Sequence, residues 1–165
     1  MKTKTTTPGE PERNRYRNSS RDRLADMAWL FPGESLDTFD PATIGWVSEV
    51  IGITARDGVQ GALDDGHFVI NVADEIINEA NVKIAVEPGS GQVLDCLNGI
   101  SQVIHEVLEQ GDKKVVVHCA MGMERSVLAV VWYLNQFEGL SIDDAYDLVR
   151  AGRPIALDRR DWILS

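Results

Sequence analysis

Cysteine is scarce in this chain: Cys96 and Cys119 are the two present among 165 residues. Two thiols do not make a disulfide framework, so the fold must rest on a buried core. A reducing compartment suits such a chain, and the cytoplasm is the expected location. Long apolar runs are missing as well. None reaches the roughly 18 residues that suggest a membrane span, so no membrane partner is expected. The N-terminal stretch "MKTKTTTPGEPERNRYRNSSRDR" lacks the apolar core of a secretory signal. The three histidines and two cysteines show no metal-ligand spacing, and neither a metal nor a cofactor is expected. Positive charge is also in short supply. The formal net charge is −10; residues 1–23 carry +4 and residues 24–165 carry −14. A body this acidic repels polyphosphate backbones, which argues against nucleic acid as a general partner.

What is present reads as one domain preceded by a tail. Residues 1–23 are rich in Thr, Pro, Arg and Asn and nearly free of aliphatics. They are expected to form a flexible basic leader that keeps the chain in solution, with an interaction arm as the alternative. The chain as a whole has an ordinary apolar content and is long enough to bury about two-thirds of its unfolded surface, and from Leu24 the apolar content rises. Short β-branched runs, "HFVINVA" (67–73), "VKIAV" (82–86) and "KVVVH" (114–118), predict strands covered on both faces. Residues 43–53 can supply one or two more. Helices are predicted over 58–66, over 92–110 from its three- and four-residue apolar steps, over 126–137, over 141–152 behind a Ser cap, and as a short turn in "DRRDWIL". Strands alternating with helices give an α/β fold, a mostly parallel sheet with helices on both faces.

In such a fold ligands bind where the carboxyl end of a strand meets a helix N-terminus. "HCAMGMERS" (118–126) occupies that turn. Its successive N–H groups can form an inward-facing nest, to which the helix start adds its positive end. Gly122 supplies the backbone freedom that the curl needs. Arg125 offers a bidentate fork for a phosphate-like oxyanion. The same field favours ionisation of the Cys119 thiol, and a thiolate held beneath a bound phosphate is a nucleophile in line with phosphorus.

These residues resemble the His-Cys-x2-Gly-x2-Arg-Ser/Thr signature of the cysteine-dependent protein tyrosine phosphatases, in particular the small dual-specificity branch. "FVINVADE" and "SIDDAYDLVRAGRP" are similar to that family's flanking segments, and the likeness extends through much of 59–162. The resemblance implies a protein tyrosine phosphatase-like fold, a phosphorylated protein as substrate, a phosphate or other oxyanion in the loop, and a phosphocysteine intermediate. It implies that Cys119 is the nucleophile and Arg125 the phosphate clamp. Ser126 would steady the departing thiolate, and His118 would support the loop. The backbone of Ala120, Met121, Gly122, Met123 and Glu124 would line the oxyanion cradle. The family's general acid is an aspartate upstream; here Glu87 stands at that place, 32 positions before Cys119. Glu124 is a second departure, an acid beside the clamp, and its side chain is expected to face solvent.

Three functions compete on these residues. The first is a metal-independent phosphatase acting on phosphotyrosine, with phosphoserine and phosphothreonine as further substrates. The second is an RNA 5′-triphosphatase, against which the acidic body and the absence of lysine from "AMGME" count. The third is a pseudophosphatase that binds phosphoproteins without turnover, which the departures at Glu87 and Glu124 keep open. Cys96 is expected in the core, with a regulatory disulfide to Cys119 as the alternative. Asp74 and Glu75 are expected to do no more than solvate a loop.

Overall fold

A computed structural model describes residues 40–164, so the basic tail assigned to residues 1–23 lies outside the described residues. Within them the order is β1 (Gly45–Trp46), β2 (Ile51–Thr54), a 3-10 turn (Arg56–Gly58), α1 (Val59–Asp64), β3 (Phe68–Asn71) and β4 (Val82–Lys83). There follow α2 (Val93–Gln110), β5 (Val115–His118), α3 (Arg125–Glu138), α4 (Ile142–Gly152) and a 3-10 turn (Arg160–Leu164). The sheet runs β1-β2-β5-β3-β4. Only the β1–β2 pair is antiparallel. The α/β architecture expected of the sequence is therefore present.

Alternation along the strands decides which side each helix covers. Val115 and Val117 of β5, Ile70 of β3 and Ile51 and Ile53 of β2 join the large core beneath α2, α3 and α4. Val116 and Val69 point to the opposite face and pack against Val59 and Ala62 of α1. Among the described residues helices lie on both faces, but unequally: one short helix against three. The periodicity of 92–110 reflects a helix whose Leu97, Ile100 and Ile104 are fully buried. It stops where Gly111 adopts a left-handed φ of 76°. Ser141 caps α4 as expected, its hydroxyl accepting from the Asp144 amide.

Two strand expectations are corrected. "HFVINVA" contributes only Phe68–Asn71 to the ladder, and "VKIAV" only Val82–Lys83. The second is an edge strand with Lys83 exposed, not one covered on both faces. Past its end the chain still follows β3, through Ile84 N–H to Asn71 O and Val86 N–H to Val72 O. That places Glu87 beside the carboxyl end of β3. The carboxyl ends of β2, β5 and β3 share one edge, with Thr54 and Asn71 both opposite His118.

Candidate active site

The loop from Cys119 to Glu124 leaves that edge and enters α3. Every one of its carbonyls has a partner. Cys119 O accepts from His118 Nδ1 at 3.0 Å. Ala120 O accepts from the Arg56 amide and Met123 O from the Leu157 amide, at 3.1 and 2.8 Å. Met121 O and Gly122 O both accept from Arg153, at 3.1 and 2.8 Å. Glu124 O accepts from the Leu128 amide inside the helix. With the carbonyls engaged by these partners, the amide hydrogens are left for the concave side, as an anion-binding nest requires. Gly122 sits there at φ 69°. A β-carbon at Gly122 would stand 2.6 Å from Arg153 Nη2, so glycine is required for the close approach as well as for the turn.

Arg153 is fully buried, and its five N–H donors reach the carbonyls of Pro41, Thr43, Ile53, Met121 and Gly122. Burial pulls its pKa down to about 10, still well above neutrality. His118 is buried too, and desolvation pushes it down to about 4. Neutral, it carries its proton on Nδ1 toward Cys119 O, so Nε2 accepts from Asn78 Nδ2 at 3.1 Å. The His118 ring is thus fixed between the loop carbonyl of Cys119 and the Asn78 side chain.

Cys119 is 2% exposed. Burial alone would raise its thiol pKa. The Arg125 charge, hydrogen bonds from the Ser126 side chain and backbone, and one from the Gly122 backbone outweigh it, and the thiol lies below its ordinary value. Sγ and Ser126 Oγ are 3.2 Å apart. Cys96 behaves oppositely: burial, then Asp95 and Glu87, push its thiol up. It is half-buried against the core, and both cysteines are free thiols.

Arg125 opens α3, whose Val127 to Val131 are completely buried. Each fully buried valine or leucine gains about 1.5–3 kcal/mol of transfer free energy, so the guanidinium stands on a firm base. Its Nη1 and Nη2 donate to the two carboxylate oxygens of Glu75 at 2.7 and 2.6 Å. Despite the cost of burial, this carboxylate and the Cys119 charge hold Arg125 above its ordinary pKa. A cavity of about 440 Å³ opens over this pair. Asp74, Glu75 and Arg125 form one wall, and residues 86–90, which include Glu87, form the other. The structure therefore puts Cys119, Ser126, His118 and Arg125 together, and Glu87 lines the cavity that Arg125 borders.

Two expectations are overturned. Glu124 does not face solvent: it is 3% exposed, and its Oε2 accepts from Arg159 Nε and Nη2 at 3.0 and 2.8 Å. A buried guanidinium gives the carboxylate a partner that solvent would otherwise supply. Glu75 does more than solvate a loop, because it grips Arg125 from 50 positions away. Asn71 explains how it arrives: its side chain bonds Ile76 O and the Ala73 amide and folds the loop after β3 back on itself. Sequence reasoning missed Glu75, Asn78, Arg153 and Arg159. For Arg153 the "AGRP" turn was a visible signal; the others have none at short range. Among the described residues no group of three or more His, Cys, Asp or Glu is placed to hold a metal ion, and no helix is long and apolar enough to cross a membrane.

Residues 65–163, more than half of the chain, match the family described as "Dual specificity phosphatase, catalytic domain". Human "Dual specificity protein phosphatase 18" is 30% identical over 112 residues, covering 63% of this chain and 58% of that protein. "Tyrosine-protein phosphatase MSG5" of Saccharomyces cerevisiae is 31% identical over 97 residues, 50% of this chain and 19% of that protein. The chain thus spans from about a fifth to somewhat over half of these curated relatives. Among solved structures, human DUSP28 superposes with a TM-score of 0.64 at 18% identity, over 76% of this chain and 89% of that one. A mouse putative dual specificity phosphatase complexed with zinc tungstate gives 0.63 at 19%, over 79% and 87%. At such identities these two structures speak for the fold.

Proposed function

The chain belongs to the dual specificity phosphatase catalytic-domain family, and on that premise we propose that it hydrolyses phosphate monoesters on proteins, phosphotyrosine first, through a phosphocysteine. The observation that carries the proposal is the Cys119 thiol. It is deeply buried, yet it is shifted toward the thiolate by Arg125, Ser126 and the Gly122 amide. In the first step Cys119 Sγ bonds to phosphorus while the ester P–O bond breaks, and protonated Glu87 gives its proton to the leaving oxygen. In the second, water attacks phosphorus, Glu87 takes a proton from it, and the S–P bond breaks to release phosphate. The Ser126 hydroxyl then donates to the returning thiolate. The loop amides and Arg125 hold the phosphoryl oxygens throughout, so the protein's contribution is positioning and charge stabilisation.

The catalytic unit of this proposal is the segment 24–165, with the basic tail 1–23 outside it. A reduced Cys119 is required, which supports a reducing compartment and hence the cytoplasm. The tungstate in the mouse relative is a tetrahedral oxyanion, the shape assigned here to the loop's ligand. The acids on the cavity wall, Asp74, Glu75 and Glu87, favour phosphosites flanked by basic residues and disfavour the polyanionic end of an RNA. One observation favours the pseudophosphatase reading: Glu75 already occupies both terminal nitrogens of Arg125. Turnover of a small aryl phosphate by wild type and by Cys119→Ser decides between them. Turnover that disappears in the variant is the expected result. Absent wild-type turnover, with phosphate still protecting Cys119 from alkylation, would make the protein a binder.

A further inference from the structure

Glu124 and Arg159 form a buried ion pair directly behind the clamp. Their side chains are 3% and 5% exposed and 2.8 Å apart. Glu124 precedes Arg125, and its charge contributes to holding Arg125 protonated. Arg159 is itself fixed on several sides. Its amide donates to the Tyr146 hydroxyl at 3.0 Å, and its guanidinium lies 5.1 Å from the Trp162 ring centroid. Two residues earlier, the Leu157 amide bonds Met123 O. The segment after α4 is therefore a strap across the back of the loop, and it touches the loop at consecutive residues, Met123 and Glu124.

A carboxylate in this position is an electrostatic problem for a site that must hold a dianion. In water it would be screened; nearly solvent-free, it is screened much less and acts more strongly on anything in the loop. Resting on the function proposed above, we propose that Arg159 is a positioning residue of the oxyanion site. It draws the Glu124 carboxylate backward, cancels its charge, and so permits both the Cys119 thiolate and a bound phosphate. Of the two acids next to Arg125, Glu124 is thereby neutralised from behind, and Glu75 is the one that still faces the clamp.

The opposite signs of the two partners give a test that does not depend on turnover. The readouts are the pH dependence of Cys119 alkylation by iodoacetamide and the inorganic phosphate concentration that protects it. Arg159→Gln leaves the carboxylate without its cation. The alkylation pKa should rise by about one unit and the protecting phosphate concentration by about tenfold. Glu124→Gln removes the negative charge and leaves the cation, so phosphate should protect at the wild-type concentration or lower. In the double variant two amides can bond each other, and most of the protection should return. Arg159→Lys keeps the charge without the fork and should stay close to wild type. A support role without electrostatics would instead weaken phosphate in all four variants and leave the alkylation pKa where it was, and that result would overturn the proposal. If Arg159→Gln does not fold, the other two single variants suffice: weaker phosphate protection in Glu124→Gln, or a tenfold loss in Arg159→Lys, overturns it equally. If wild-type Cys119 is not protected by phosphate at all, the proposed function fails first. Protection without turnover leaves the strap's role intact.

Discussion

Replacing Gly122 by alanine probes whether the loop is as rigid as its carbonyl partners imply. The added β-carbon would lie 2.6 to 2.9 Å from three atoms of the Arg153 guanidinium. The end of an arginine usually swings aside at little cost. Here it is fully buried and bonded to five carbonyls. Yielding would break at least the bonds to Gly122 O and Met121 O, each a hydrogen bond to a charged group worth about 1.5–3 kcal/mol. The left-handed backbone at φ 69° adds about 1–2 kcal/mol for a residue with a β-carbon. The total is about 4–8 kcal/mol, against a whole-domain stability of about 5–15 kcal/mol. At roughly 3 °C per kcal/mol, the melting temperature should fall by at least about 10 °C. Thermal unfolding followed by circular dichroism measures this, and phosphate protection of Cys119 in the folded fraction should be lost with it. A Gly122→Ala protein that melts within 3 °C of wild type and still binds phosphate would refute the account of Arg153 as a fixed partner.

Three further outcomes are expected. Folded His118 sits at about 4 rather than its free value of 6.5, so the unfolded chain binds the extra proton. The stability that follows is complete above pH 6.5 and is lost as pH falls toward 4, by about 3 kcal/mol in all; urea unfolding of wild type should show that slope, and His118→Asn should flatten it. Glu87→Gln should slow phosphotyrosine hydrolysis by about 10²-fold or more while affecting an activated aryl phosphate much less; unchanged rates on phosphotyrosine would take Glu87 out of the mechanism. Glu75→Gln should bind inorganic phosphate more tightly, because a carboxylate no longer competes for Arg125. Its kcat should nonetheless drop by about tenfold as the guanidinium loses its fixed orientation; a rise in kcat would show that Glu75 only blocks the site.

The parts of this molecule that were readable in advance are those set by local rules. The loop 118–126 announces itself because thiol, glycine and guanidinium must fall at fixed offsets within one turn. Helix α2 shows through the spacing of Leu97, Ile100 and Ile104, and α4 through its Ser141 cap. Strand ends were less legible, since "VKIAV" is apolar enough for five residues of ladder but sits at an edge with one neighbour. Long-range ion pairs were not legible at all. Nothing near Glu75 points to Arg125, and nothing near Glu124 points to Arg159 35 positions later. A carboxylate with an unseen partner reads as solvated, and that was the error in both cases.

Four of the six loop carbonyls, those of residues 120–123, are held from outside the loop by Arg56, Arg153 and Leu157. Such a loop has no private way to come apart: releasing any of these four disturbs the turn before α1, the end of α4 or the strap beyond it. Opening the loop should therefore cost nearly as much as unfolding the domain. The converse is thermodynamic. An oxyanion in the loop stabilises the entire domain, by about 2.7 kcal/mol at a hundredfold excess over its dissociation constant. Heat resistance is thus a direct gauge of how full the site is, whether or not the ligand is ever turned over.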